Sequence, residues 1–163
     1  MNIVSNTSPL VFLAKIGKLG FLKDYRIFIP QQVFDEILMW KNKNKDDYLI
    51  LEDWINKNNV SMEKVDLLKN LPQSLGEGEK SAISLALKKK INVVLIDERK
   101  ARISASVLGL KPKGTIAIIQ QQMLNKKITR KECKNLVFEL IKKGYRIKEE
   151  LIVEFLQSIE KNN

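Results

Sequence analysis

Short apolar runs alternate with longer segments of helical periodicity along almost the whole chain, and that alternation leaves few folds open. Ile3-Val4, Arg26-Ile27-Phe28-Ile29, Val60 to Val65, Val93-Val94-Leu95-Ile96 and Leu110 to Lys113 read as strands. Between them lie helical segments. Pro9 to Lys15 starts a helix, and Gly17 to Lys23 continues it as a hairpin. A third segment runs from Pro30, placed in its first turn, to about Trp40. A fourth, Asp46 to Lys57, is read with Leu49, Ile50, Trp54 and Ile55 facing inward. Ser74 opens a helix ending in Lys88-Lys89-Lys90, and Arg99 to Leu108 forms one stopped by Gly109. Thr115 opens another. Thr129-Arg130-Lys131-Glu132 is a capping box for a helix ending at Gly144, and a last helix covers Glu149 to Ile159. Short strands separated by helices imply an α/β fold with a parallel sheet covered on both faces. In such sheets ligands bind beyond the carboxyl ends of the strands.

At 163 residues, with no repeat, low-complexity linker or composition boundary, residues 1–163 are expected to form a single domain. No apolar run approaches the roughly 20 residues of a membrane span. Met1-Asn2-Ile3-Val4-Ser5 lacks the charged start and long apolar core of a signal peptide. The single Cys133 cannot pair internally and reads as a small residue on a helix, so a reducing, cytoplasmic setting is expected.

A carboxylate on an apolar face is the strongest chemical signal. At about 100° per residue, Ala82, Ile83, Leu85, Ala86 and Leu87 share a stripe; Glu79 falls in its middle and Glu77 nearly opposite. A charge turned toward a core needs a partner, such as a metal ion or a cluster of donors. A second acidic pair, Asp97-Glu98, follows the Val93–Ile96 run, and Asn6 follows the first strand. Glu36 borders the apolar arc of Val33, Phe34, Ile37, Leu38 and Trp40, whereas Asp35 points away. Spacing alone does not show that Asn6, Glu36, Glu79 and Asp97 converge.

Each candidate also has a structural reading. Asp97 can cap the helix that starts near Glu98; Asn6 can be a turn residue bonded to its own backbone. Glu98 can be ordinary first-turn charge and Glu36 a surface residue. Ser74 and Glu77 fit a capping box, so Glu77 is read as structural. Lys88-Lys89-Lys90 is read as a solvated helix end. Arg99 and Arg102 can hold phosphate or pair with the acidic cluster.

Composition narrows the chemistry. There is no histidine, which excludes any triad or acid–base step that needs imidazole, and one cysteine makes a structural zinc site improbable. Carboxylates and amides suit Mg²⁺ or Mn²⁺. Lys+Arg 29 against Asp+Glu 19 gives a net charge of +10, which points to a nucleic-acid partner or to a lysine-rich solvated surface.

The opening Val4-Ser5-Asn6-Thr7-Ser8-Pro9-Leu10 resembles the start of PIN-domain proteins, the superfamily of metal-dependent ribonucleases that includes many toxins. The chain is most similar to a little-characterised branch with a Gly-x-Gly-Glu helix, an Ile-Asp-Glu/Asp-Arg-x-Ala-Arg segment and a Gly-Thr turn. Here these are Gly76-Glu77-Gly78-Glu79, Ile96-Asp97-Glu98-Arg99-Lys100-Ala101-Arg102 and Gly114-Thr115; Gly144-Tyr145-Arg146-Ile147 also fits. The resemblance covers nearly the whole chain, and its specificity lies in the order of motifs rather than in any one of them. It implies a three-layer α/β/α sandwich that binds Mg²⁺ or Mn²⁺. By position it implies metal ligands at Asn6, Glu36, Glu79, Asp97 and Glu98, with Glu36, Glu79 and Asp97 catalytic. Thr7, Ser8, Arg99, Arg102 and Thr115 would bind substrate. Asn6 departs from the pattern, which has aspartate there; an amide can ligate a metal but adds no charge.

The function expected from this resemblance is hydrolysis of RNA phosphodiester bonds in the cytoplasm, by the toxin of a toxin–antitoxin pair. RNA and an antitoxin protein would be its partners, with room for a homodimer and no membrane. The alternative is a catalytically weak PIN relative that binds nucleic acid or protein, which Asn6 favours. A purely structural oligomerisation domain is opposed by the inward Glu79.

Overall fold

The computed structural model describes residues 1–43, 45–58 and 60–161, in two compact units, Met1–Thr115 and Ile116–Asn163. The first holds a parallel five-stranded sheet in the order β3-β2-β1-β4-β5. The strands are β1 (Asn2–Ser5), β2 (Arg26–Pro30), β3 (Val60–Glu63), β4 (Val93–Leu95) and β5 (Lys111–Lys113). Its helices are α1 (Thr7–Lys15), α2 (Gln31–Trp40), α3 (Lys45–Lys57), α4 (Glu77–Lys88) and α5 (Arg99–Val107), with a 3₁₀ turn at Leu19–Leu22 where a second helix of a hairpin is expected. The three-layer α/β/α class implied by the sequence is the one observed.

Alternation along each strand builds both layers. Val4, Phe28, Val94 and Ile96 pack with Ala82, Ile83, Leu85 and Ala86 of α4 and Ala101 and Ala105 of α5. The intervening Ile3, Ile27, Ile29 and Leu95 are also buried, as a strand covered on both faces requires. α4 and α5 cover the face of Val4, Phe28 and Val94, α1 packs against α3, and α2 touches α1, α3 and α4. The chain winds outward from β1 to β2 and β3, then returns to β4 and β5, so its switch point lies between β1 and β4. Asn6 and Asp97 follow those two strands, and the Asn6 N–H donates to Leu95 O at 2.9 Å.

The edge strand β5 is closed to further pairing. Lys111 N–H donates to Asn92 O at 2.7 Å, and Lys113 O accepts from Ile96 N–H at 2.9 Å, which turns Pro112 outward. Proline presents no N–H there, and lysines flank it.

Three local expectations need correction. Leu49 and Ile50 are exposed, and α3 buries Tyr48 and Leu51 instead. Pro30 closes β2 and stands one residue before α2 rather than inside its first turn. The helix expected from Ser74 begins at Glu77 with Gly76 as N-cap, and its box-forming acid is Glu79, not Glu77.

The second unit contains α7 (Arg130–Lys142), α8 (Glu149–Lys161) and all but the first residue of α6 (Thr115–Leu124). The expected capping box opens α7: Thr129 Oγ1 accepts from Glu132 N–H at 3.2 Å and Glu132 Oε2 from Thr129 N–H at 2.7 Å. Cys133 is buried on α7, and burial pushes its thiol up to about 11, so it is protonated and inert at neutral pH. No described helix is long and apolar enough to cross a membrane.

Candidate active site

The first turn of α1 holds two carboxylates that are far apart in sequence. Thr7 Oγ1 donates to Glu36 Oε2, and Ser8 Oγ donates to Asp97 Oδ2 at 2.9 Å. Each carboxylate has a second anchor. Gly78 N–H donates to Glu36 Oε1 at 3.1 Å. Thr115 donates its N–H to Asp97 Oδ1 at 2.7 Å and its hydroxyl to Oδ2 at 2.8 Å. Glu36 and Asp97 are thereby brought to the carboxyl ends of the strands by the β1–α1 junction, with α4 and Thr115 closing on them.

Asn6 stands at the N-cap position of α1 with extended backbone, yet its side chain does not cap the helix. It is buried, and its Oδ1 accepts no hydrogen bond from a described residue. An unmade bond at a buried acceptor costs about 1–3 kcal/mol. The turn reading of Asn6 offers no partner for this oxygen.

Glu79 is half-buried and reaches back along α4, where its Oε2 accepts from Gly76 N–H at 2.8 Å. Its pKa is raised, first by burial and then by the Glu98 and Glu36 carboxylates, against the lowering effect of the Gly76 N–H. Glu36, Glu79 and Glu98 thus form one negatively charged neighbourhood. A raised native pKa means stability that is present below the unfolded value and lost as pH rises through the native one. Glu79→Gln is therefore expected to raise the melting temperature of the metal-free protein at pH 7 and to leave it unchanged at pH 4; thermal melts at both pH values check this.

Glu98, not Asp97, caps α5: its Oε2 accepts from Lys100 N–H at 2.6 Å, and the residue is exposed. Arg102 Nη1 donates to the backbone oxygen of Asp97. Arg99 is exposed at the start of α5. The expected substrate contacts Thr7, Ser8 and Thr115 all donate to carboxylates.

Sequence reasoning missed the N–H groups of Gly76 and Gly78 as carboxylate anchors. Two glycines within three positions at a helix start were the available signal. A cavity of about 420 Å³, lined among others by Met123, Lys126, Lys127 and Arg130, lies in the second unit and contains none of the expected site residues.

The donors here are all oxygens, carboxylate and amide, and one of them is a buried acceptor with no donor among the described residues. That set fits a hard divalent cation. Among the described residues, no group of three or more Asp, Glu or Cys side chains is gathered to hold one ion. The carboxylates are instead tethered separately to protein donors.

A family model, DUF3368, described as a PIN domain, matches residues 2–161. This chain belongs to the PIN-domain family. Membership supports a nuclease-type function, and PIN domains typically use divalent metal ions. Among solved structures, a domain of a functionally unknown protein from Methanocaldococcus jannaschii DSM 2661 is similar at 20% identity and a TM-score of 0.47, covering 69% of this chain and 89% of that one. No curated protein matches.

Proposed function

We propose that this PIN domain is a divalent-metal-dependent endoribonuclease that acts as the toxin of a toxin–antitoxin pair. The observation that carries the nuclease reading is the pair of carboxylates, Glu36 and Asp97, anchored by the two residues that follow Asn6, whose buried Oδ1 has no donor among the described residues. Asn6, Glu36, Glu79 and Asp97 would hold Mg²⁺ or Mn²⁺, with Glu98 at the rim. A divalent ion supplies acidification of water and neutralisation of phosphate charge. The chain's own groups have separate tasks. Thr7 and Gly78 fix Glu36; Ser8 and Thr115 fix Asp97; Arg102 braces the Asp97 backbone. Exposed Arg99 and Lys100 are available to phosphates, and the +10 charge draws a polyanion toward the surface.

Incubation with single-stranded RNA, with matched DNA as comparison, tests this reading. Cleavage of RNA with Mn²⁺ that stops with EDTA is expected. Binding should weaken with salt at a slope of about 0.7 per phosphate neutralised. Growth arrest on expression, relieved by a neighbouring small protein, tests the toxin role. RNA binding without cleavage would favour the second reading, a non-cleaving binding module, which Asn6 and the separately tethered carboxylates support.

A further inference from the structure

We propose that Gly78 is a positioning residue for Glu36: its missing side chain admits the Glu36 carboxylate to the start of α4. This rests on the reading of Glu36 as part of the nuclease centre. Glycine is poorly placed in the first turn of an alanine- and leucine-rich helix, where alanine would hold the backbone better. Gly78 also lacks the positive φ that would demand glycine, unlike Gly17, Gly109 and Gly144. Space explains it. A Cβ on Gly78 would lie 2.5 Å from Glu36 Oε1 and 2.8 Å from both Cδ and Oε2, and these carboxyl atoms are its three nearest neighbours. The same atom on Gly76 would stand 3.6 Å from Glu79 Oε2, an ordinary contact.

The clash is with the far end of a flexible, half-buried side chain. Alanine at 78 therefore leaves the helix and its packing intact and expels the carboxylate. Glu36 loses the Gly78 N–H and is turned away from Thr7. Residue 78 thus sets the place of a carboxylate that belongs to another helix, at some expense in helix stability.

The experiment compares the full-length wild type, Gly78→Ala, Glu36→Ala and the double variant, with Gly20→Ala as control because nothing lies within 4 Å of a Cβ there. Mn²⁺ affinity is read by calorimetry, metal-free stability by thermal melting, and the Glu36 position in a crystal structure of metal-free Gly78→Ala. The inference predicts at least tenfold weaker Mn²⁺ binding in Gly78→Ala with an equal or higher melting temperature, and no further weakening when Gly78→Ala is added to Glu36→Ala. Wild-type affinity in Gly78→Ala would overturn it. So would a lowered melting temperature that persists in the Glu36→Ala background, since that would make Gly78 a packing residue. If the wild type binds no Mn²⁺, the proposed nuclease reading fails. The Glu36 position then decides the inference alone: a carboxylate displaced from residue 78 upholds it, and one still bonded to that N–H overturns it.

Discussion

Asp97→Ala is expected to lose about 2–4 kcal/mol of stability and all detectable metal-dependent cleavage, while Asp97→Asn loses the cleavage alone. The alanine removes the acceptor for three donors at once: Ser8 Oγ, Thr115 Oγ1 and Thr115 N–H. Thr115 is fully buried, so its two groups cannot turn to water; each costs about 1–3 kcal/mol when left unmade. Ser8 is half-buried and can reach solvent, which limits its share. An amide at 97 can keep its oxygen on the Thr115 N–H and offer its NH₂ to the two hydroxyls, which rotate to accept it. The hydrogen-bond frame then survives, within about 1 kcal/mol of wild type. What is lost is one of the negative charges that would attract a divalent ion. Denaturant unfolding of both variants, with Mn²⁺ calorimetry and the RNA assay, measures the separation. Equal destabilisation by the two variants would show that the frame depends on charge rather than on acceptor geometry.

The legibility of this fold followed how local each signal was. β1 and β4 were readable because β-branched runs bounded by polar residues have few alternatives, and the α7 capping box was readable because both partners lie within four residues. The inward face of α3 differs from the one that periodicity predicts. Tyr48, Leu49, Ile50 and Leu51 are apolar in succession, so two rotations of the helix bury similar area, and packing against α1 and α2 chose Tyr48 and Leu51. The helical wheel turns Glu79 toward the core. At the third position of α4 a side chain leans toward the helix start, and the Gly76 N–H meets it there. The helical wheel gives the angle of a residue but not the helix end that can satisfy its charge. The pairing of Thr7 with Glu36 and Ser8 with Asp97 depends on sheet order, which places β1 between β2 and β4. Periodicity is blind to that order. The resemblance implies substrate contacts for Thr7, Ser8 and Thr115, and the structure adds that each of these hydroxyls donates to a carboxylate.

Asn6→Asp is expected to destabilise the metal-free protein by about 1–3 kcal/mol and to tighten Mn²⁺ binding at least tenfold, about 1.4 kcal/mol. Both effects come from one oxygen. Oδ1 of Asn6 is buried with no donor among the described residues, so a carboxylate placed there begins with an unmet oxygen, one and two residues before the hydroxyls that hold Glu36 and Asp97. Without a cation, that is a like-charge cluster in a poorly solvated place, and folding bears the cost. With a cation, the same charge becomes attraction: two unit charges 4 Å apart gain about 4 kcal/mol at an effective dielectric near 20, less the desolvation term. Linkage then makes the melting temperature of the variant rise more steeply with Mn²⁺ than that of the wild type, so the two melting curves cross as metal is added. Cleavage should increase with metal occupancy. If Asn6 only shaped the β1–α1 turn, aspartate would fit as well and leave Mn²⁺ affinity unchanged. Calorimetry on both forms, with melts across a Mn²⁺ series, therefore decides whether this chain keeps a weakened PIN metal centre at its first strand or has given that ligand up.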